Sequence, residues 1–273
     1  MPEGPEIRRA ADQLARAVVG KVLENVWFAF PELALQAAGL VGRRVLAIEP
    51  HGKALLTHFE GGQSLYSHNQ LYGVWKVTRA GDRPQTTRSL RVALETRSKG
   101  ILLYSASDIE LWPTQRLSEH PFLAKLGPDV LDARLQPMQV AERLLGSRFR
   151  GRALSALLLD QSFLAGMGNY LRSEVLFEAV VAPDLRPRDL STEQIEALAD
   201  ALLAVPRRSY ATRGVARRRG ARLRPDLQVD HGERFRFRVF DRAGEPCEAC
   251  GSLLERSDAG GRRLYWCPRC QAC

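Results

Sequence analysis

The residues best suited to chemistry lie at the two ends of the chain. The first six, Met1-Pro2-Glu3-Gly4-Pro5-Glu6, set a proline among carboxylates. Loss of Met1 would turn Pro2 into a secondary amine, and α-amino groups titrate near about pH 8, far below lysine. A useful fraction is then neutral and nucleophilic. Attack on a sugar C1′ gives an iminium, which acidifies the C2′ proton and permits strand cleavage by elimination. Glu3 and Glu6 are the natural proton shuttles. Lys53, in His51-Gly52-Lys53-Ala54, suits phosphate binding or protonation of a sugar oxygen. Read plainly, Met-Pro-Glu is an ordinary start and Lys53 an ordinary surface lysine, so both gain meaning only from their company.

At the far end, Cys247-x2-Cys250-x16-Cys267-x2-Cys270 has the spacing of a tetrahedral metal site, with zinc the default ion. Four protein thiolates leave no open position, so one structural Zn2+ is expected rather than a catalytic one. Redox-active pairs are the alternative, but no thioredoxin-like βαβ pattern accompanies them. Cys273 is left over as a spectator thiol. Upstream, Arg234-Phe235-Arg236-Phe237-Arg238-Val239 alternates with period two, and a strand there would put three arginines on one face. Between the knuckles, Arg262 and Arg263 precede Tyr265 and Trp266. A metal-pinned hairpin tipped with arginine would probe a DNA groove.

These ends need elements to position them. Ile7, Ala10, Ala11, Leu14 and Val18 have helical spacing, and Gly20 is a natural stop. Short β-like runs follow: Val22–Phe28, Arg44–Glu49, Lys53–Phe59, Ser64–Ser67, Gly73–Val77, Leu90–Glu95 and Gly100–Ser105. They predict a sandwich or barrel. Gly127-Pro128-Asp129 reads as a hinge. Helical periodicity then dominates, over Met138–Leu145, Ala153–Leu164, Tyr170–Glu178 and Thr192–Ala204. Gly166-Met167-Gly168-Asn169 breaks the second helix from the third, with Asn169 as N-cap and a helix N-terminus open to phosphate. As a plain helical hairpin it would carry no function. The Gly/Arg tract 213–224 reads either as a solvated linker or as a loop that orders on nucleic acid.

The charge agrees with a polyanionic partner. The net charge is +9, and the stretch from Arg207 onward holds 16 arginines, no lysine and 8 acids. Nearly all the excess therefore lies in the last quarter, as guanidinium groups suited to bidentate phosphate contact. A solubilising tail is the bland alternative. The first nine residues include Glu3, Glu6, Arg8 and Arg9 without an apolar core behind them, so no signal peptide is expected. No run of about 18 apolar residues occurs, so no membrane span is expected. A cytoplasmic location follows.

Taken together, Met1–Arg9, Gly52-Lys53, Leu164–Leu171 and the four-cysteine module resemble the formamidopyrimidine-DNA glycosylase/endonuclease VIII family. The resemblance spans the chain with its motifs in family order. Gly4 and the segment His68-Asn69-Gln70-Leu71-Tyr72-Gly73 are similar to bacterial endonuclease VIII. The resemblance implies an α+β multidomain protein. Its parts would be an N-terminal β-sandwich with an N-terminal helix (1–126), a hinge (127–132), a helical domain with a helix–two-turn–helix (133–225) and a four-cysteine zinc-finger β-hairpin (226–273). It implies a bifunctional DNA glycosylase/AP lyase of base excision repair, removing oxidised pyrimidines and cleaving by β,δ-elimination. Its partner would be double-stranded DNA with oxidised bases or abasic sites, met by a monomer at the bacterial nucleoid.

By the same resemblance Pro2 is the Schiff-base nucleophile and Glu3 the acid/base for base loss and ring opening. Lys53 serves β-elimination and Arg262 δ-elimination. Asn169 contacts phosphate. Gln70, Leu71 and Tyr72 fill the hole left by the extruded nucleotide, although those residues alone would read as a buried strand end. Lys125 stands where an arginine phosphate contact is expected, which keeps the charge but loses bidentate geometry. Two other readings stand beside this one: a purine-directed formamidopyrimidine-type enzyme, and a non-catalytic zinc-ribbon DNA-binding protein. The second would lack Pro2, Glu3 or Lys53, and all three are present.

Overall fold

The computed structural model describes residues 1–215, 228–229, 233–234 and 237–272, with backbone alone at 228–229 and 233–234. The chain forms two compact units. One comprises Met1–Pro2 and Glu6–Lys125, and the other Glu3–Pro5 and Leu126–Cys273.

The first unit is a sandwich of two four-stranded antiparallel sheets. One has the order β1-β6-β7-β5 and the other β2-β3-β4-β8. The strands are β1 (Asn25–Phe28), β2 (Val45–His51), β3 (Ala54–Phe59), β4 (Gln63–His68), β5 (Val74–Arg79), β6 (Leu90–Glu95), β7 (Lys99–Tyr104) and β8 (Asp108–Pro113). Helix α1 (Gly4–Val18) lays Ala11, Leu14, Ala17 and Val18 against a core built from Phe28, Val45, Leu55, Phe59, Leu65, Trp75, Leu94 and Leu103. Gly20 ends it in a left-handed conformation (φ 79°) that a side chain would resist. Two short helices, α2 (Pro31–Ala34) and α3 (Ala37–Leu40), follow β1.

Seven strands lie where the β-like runs predict them, with ends moved by at most three residues. Strand β8 goes beyond that reading. Its acids interrupt the apolar pattern, yet Ile109 is buried while Asp108 and Glu110 alternate with it. The outer face of β3 and β4 is covered too. Leu117 and Leu123, from 3-10 turns at Thr114–Glu119 and Leu123–Lys125, and Phe122 from the link between them pack on Ala54, Leu56 and Tyr66. Burial on both faces explains why β3 reads as a continuous apolar run rather than an alternating one.

The second unit is helical, with a metal-type hairpin. Its helices are α4 (Pro137–Leu145), α5 (Leu154–Leu157), α6 (Asn169–Glu178) and α7 (Thr192–Thr212). Ser191 caps α7 by accepting from the Gln194 N–H, while Gln194 accepts from the Ser191 N–H. The helix expected over Ala153–Leu164 stops after one turn. Asp160 accepts from the Ser162 N–H at 2.8 Å and pairs with Arg152, offering the backbone a turn in place of a helix. Conversely α7 runs past the expected end at Ala204, straight through Pro206. Val205, Pro206 and Ser209 are buried there, so tertiary packing overrides the proline. Gly127 and Val130 donate their N–H groups to Gln161 O and Ala165 O, and Pro128 O accepts from Ala165 N.

Strands β9 (Gln228–Val229) and β10 (Glu233–Arg234) make a short antiparallel pair. Strands β11 (Glu255–Ala259) and β12 (Arg262–Trp266) form a hairpin with a two-residue loop, Gly260-Gly261, both at positive φ (60° and 71°). That is the type I′ geometry matching strand twist, and it demands glycine-like residues. The alternating strand expected at Arg234–Val239 is only partly present. Arg234 pairs with Gln228, Phe235 and Arg236 lie outside the described residues, and Arg238–Phe240 bend. The tract beyond Val215, to Arg224, and Cys273 also lie outside them.

Candidate active site and metal centre

The four cysteine sulfurs converge. Their Sγ atoms all lie within 4.8 Å of one another, with Cys250–Cys267 at 3.4 Å and Cys247–Cys270 at 3.9 Å. Tetrahedral zinc with bonds of about 2.3 Å requires S···S edges of about 3.8 Å, so the cage is the right size. The knuckle backbones point inward as well: Ala249 N donates to Cys247 Sγ and Cys270 N to Cys267 Sγ, both at 3.4 Å. The backbone N–H of Ser252 pulls Cys250 down to about 6, whereas burial pushes Cys247 and Cys270 up. Such close thiolates need a dication to coexist. Zinc here holds the hairpin root, where Cys247, Cys267, Tyr265 and Phe177 share a small core.

Glu3 is the centre of the other constellation. Its Oε1 accepts from Tyr170 N at 2.8 Å and its Oε2 from Leu171 N at 3.2 Å. These are first-turn N–H groups of α6, so Glu3 occupies the anion position at the helix N-terminus. The phosphate site expected there is thus filled by a carboxylate of the protein itself. Asn169 is not the N-cap either: that position belongs to Gly168, and Asn169 is the first helical residue. Gly168 is needed for space, because a Cβ there would lie 2.3 Å from Glu3 Cδ. Gly4 makes a second close approach, donating its N–H to Gly166 O at 2.8 Å, with Gly166 at a φ of 93°.

Helix α6 is buried on every side from Tyr170 to Phe177, not only along the Leu171/Val175 stripe. Three polar residues inside it bind neighbours. Arg172 donates to Asn169 Oδ1 and to the carbonyls of Ser155 and Arg263. The Ser173 hydroxyl accepts from Tyr265 N of β12 at 3.2 Å. Glu174, fully buried and pushed up by that burial, accepts the N–H groups of Arg238, Val239 and Phe240. The bend at 238–240 is therefore a backbone turn wrapped on one carboxylate.

In the sandwich, Lys53 is 5% exposed, not the surface lysine its type suggests. It follows Gly52 in the β2–β3 turn, where φ is 62°, and its charge acts on His68, which burial holds below the usual imidazole value. Glu6 is buried and paired with Arg9 at 2.8 Å. Pro2 precedes α1 and is partly exposed. Gln70, Leu71 and Tyr72 occupy a tight turn between β4 and β5, with Leu71 64% and Tyr72 69% exposed. This corrects the buried strand end that composition alone suggests. The turn is firmly built: Gly73 N donates to Asn69 O at 2.7 Å, Gln70 Oε1 accepts from Ser107, and Arg88 donates to Tyr72 O. Lys125 is exposed, at the end of a 3-10 turn. Arg262 is exposed at the hairpin tip.

Three family models match in order: the formamidopyrimidine-DNA glycosylase N-terminal domain over residues 1–107, its H2TH domain over 126–218, and the zinc finger found in FPG and IleRS over 244–272. Endonuclease 8 of Escherichia coli is 56% identical over 271 residues, covering 99% of this chain and 100% of the relative. The chain belongs to the formamidopyrimidine-DNA glycosylase/endonuclease VIII family. Endonuclease 8 of Pectobacterium carotovorum subsp. carotovorum is likewise 56% identical over 99% of this chain and 100% of its own. Among solved structures, a complex of Lactococcus lactis Fpg with abasic-site DNA has a TM-score of 0.81 at 21% identity, covering 99% of this chain and 100% of that one. At that identity it shows the family fold.

Within this glycosylase family fold, the sequence motifs mark Glu3, Asn169, Arg262 and the cysteines, and the second unit brings Glu3 and Asn169 together on α6. The motifs do not mark Arg172 and Gly168. The only signal for Arg172 is an arginine between the apolar positions Leu171 and Val175 of the helix, and for Gly168 a second glycine two residues after Gly166. Part of the arginine excess serves the protein's own structure. Arg207 donates to Asp132 O and Leu135 O, Arg208 and Arg238 pair with Glu178, and Arg242 pairs with Glu245 and Glu248. Those four bind the protein to itself.

Proposed function

We propose that this protein is a bifunctional DNA glycosylase and AP lyase of base excision repair that removes oxidised pyrimidines. The observation that carries the reading is the fixing of Glu3, the residue after Pro2, by two α6 N–H groups. A carboxylate held on a helix start gives the adjoining N-terminal amine a rigid proton acceptor. Full-length similarity to the curated Endonuclease 8 relatives supports the pyrimidine branch.

The chemistry runs through the chain's own groups. After Met1 is removed, the Pro2 nitrogen attacks C1′ of the damaged nucleotide, and the base leaves with a proton. The sugar ring opens as Glu3 relays the proton, leaving an iminium between Pro2 and C1′. Loss of the C2′ proton expels the 3′ phosphate, with Lys53 serving that elimination. Arg262 serves the second elimination, which expels the 5′ phosphate. Water then releases the sugar fragment from Pro2, leaving a one-nucleotide gap with phosphates at both ends. Glu6, which pairs with Arg9, is a further proton carrier. Asn169 and Lys125 hold phosphates, and Gln70, Leu71 and Tyr72 replace the extruded nucleotide. Zinc supplies the fixed root of the Arg262 hairpin. The partner is double-stranded DNA with oxidised bases or abasic sites, bound by a monomer in the bacterial cytoplasm.

Borohydride trapping tests this reading. Incubation with a thymine-glycol duplex should give one covalent adduct, mapped by mass spectrometry to residue Pro2, and Pro2→Gly should sharply reduce it. An adduct formed only with an 8-oxoguanine duplex would move the protein to the purine branch. No adduct with either duplex would leave a zinc-ribbon DNA-binding protein.

A further inference from the structure

Arg172 heads the fully buried large side chains among the described residues, with 0% exposure. Burial lowers its pKa to about 10, with Glu3 opposing that shift, so it remains a cation at neutral pH. A buried cation is worse for stability than an apolar residue unless its donors are well used. Here they are. Nη1 donates to Ser155 O at 2.6 Å. Nη2 faces Asn169 Oδ1 at 3.0 Å, Arg263 O at 3.0 Å and Arg262 O at 3.4 Å. One guanidinium therefore ties α5, the first residue of α6 and the tip of the zinc hairpin.

The metal cannot do this work. Cys267 follows β12, whereas Arg262 begins it. At about 3.3 Å per residue, five residues put the tip roughly 16 Å along the strand from that ligand. Zinc fixes the root; Arg172 grips the tip. Its guanidinium also has donors only, so Asn169 must turn its carbonyl oxygen inward. That leaves the Asn169 amide N–H2 directed away from Arg172, the polarity a phosphate requires.

We propose that Arg172 is the positioning residue that orients Asn169 and Arg262 for phosphate contact and for the second elimination. The proposal rests on the function proposed above, and its test separates the two. Abasic-site duplex is given to wild type, Arg172→Lys, Arg172→Met, Arg262→Ala and the Arg172→Met/Arg262→Ala double variant. Zinc content, melting temperature, Pro2 trapping and the ratio of δ- to β-elimination product are recorded. In Arg172→Met the δ/β ratio should fall about ten-fold, in keeping with loss of a charge-assisted contact. Arg172→Lys should be intermediate, because an ammonium cannot span all the acceptors. The double variant should match Arg262→Ala, since the two residues act on one step. A wild-type δ/β ratio in a zinc-loaded Arg172→Met protein overturns the proposal. So does loss of zinc in both Arg172 variants, which would make the residue structural only. Failure of wild type to trap at Pro2 overturns the proposed function itself, and with it this role.

Discussion

Glu3 does two things at once, and both follow from where its oxygens go. It satisfies two orphan N–H groups at the start of α6, and it is held rigid beside Pro2. Replacing it with alanine should therefore cost stability as well as activity, about 1–2 kcal/mol for a lost cap, read from urea unfolding of the full chain. Gly168 tests the same geometry from the other side. Its φ of −147° is open to any residue, so only space demands glycine. Gly168→Ala should displace the Glu3 carboxylate and destabilise by about 1–3 kcal/mol through overpacking. Base excision should fall with it, measured as release of thymine glycol. An alanine variant with wild-type stability and rate would show that Glu3 is not held where the geometry puts it.

At the scale of elements, small polar networks set the loops. Glu95, at the end of β6, accepts from Asn25 Nδ2 at 2.6 Å, Gly81 N at 2.9 Å and Arg83 Nη1 at 2.6 Å. Arg83 above all brings it down from 4.5 to about 2. A depressed carboxylate stabilises fully above its unfolded value and loses that contribution as pH falls through the folded one. Wild type should thus exceed Glu95→Gln by about 1–2 kcal/mol at neutral pH. The difference should shrink between pH 4.5 and about 2. Urea midpoints across that range would read it; a constant gap would mean the charge contributes nothing. The hairpin offers a metal test. Cys250→Ser removes one of four zinc ligands, so metal content should drop and the C-terminal core should loosen. Unchanged zinc would refute the four-thiolate cage.

For the molecule as a whole, charge is a poorer guide to DNA contact than its count implies. Of the 16 arginines after position 206, Arg207, Arg208, Arg238 and Arg242 bind the protein's own carbonyls or carboxylates. Affinity for abasic-site duplex should still fall with salt through counterion release. The slope of log K against log salt should lie near −4 to −7, roughly, at about −0.9 per phosphate neutralised. A slope near zero would deny the phosphate contacts altogether.

Some of this protein is written in short stretches of sequence. Metal spacing, β alternation and helical periodicity depend on neighbours a few residues apart, so the cysteine cage, seven sandwich strands and the α6 turn can be read without coordinates. The Gly260-Gly261 turn belongs with them, because two consecutive glycines suit the paired positive φ it adopts. Other features arise only when distant segments meet. The N–H of Tyr170 finds Glu3 across 167 positions, and Arg172 finds the Arg263 carbonyl across 91. No local pattern encodes such pairings, since their partners are chosen by which buried donors lack acceptors after packing. The same cause turned the α6 N-terminus from an open anion site into a seat for Glu3. It also carried α7 through Pro206 and drew four arginines into the protein's own backbone and carboxylates.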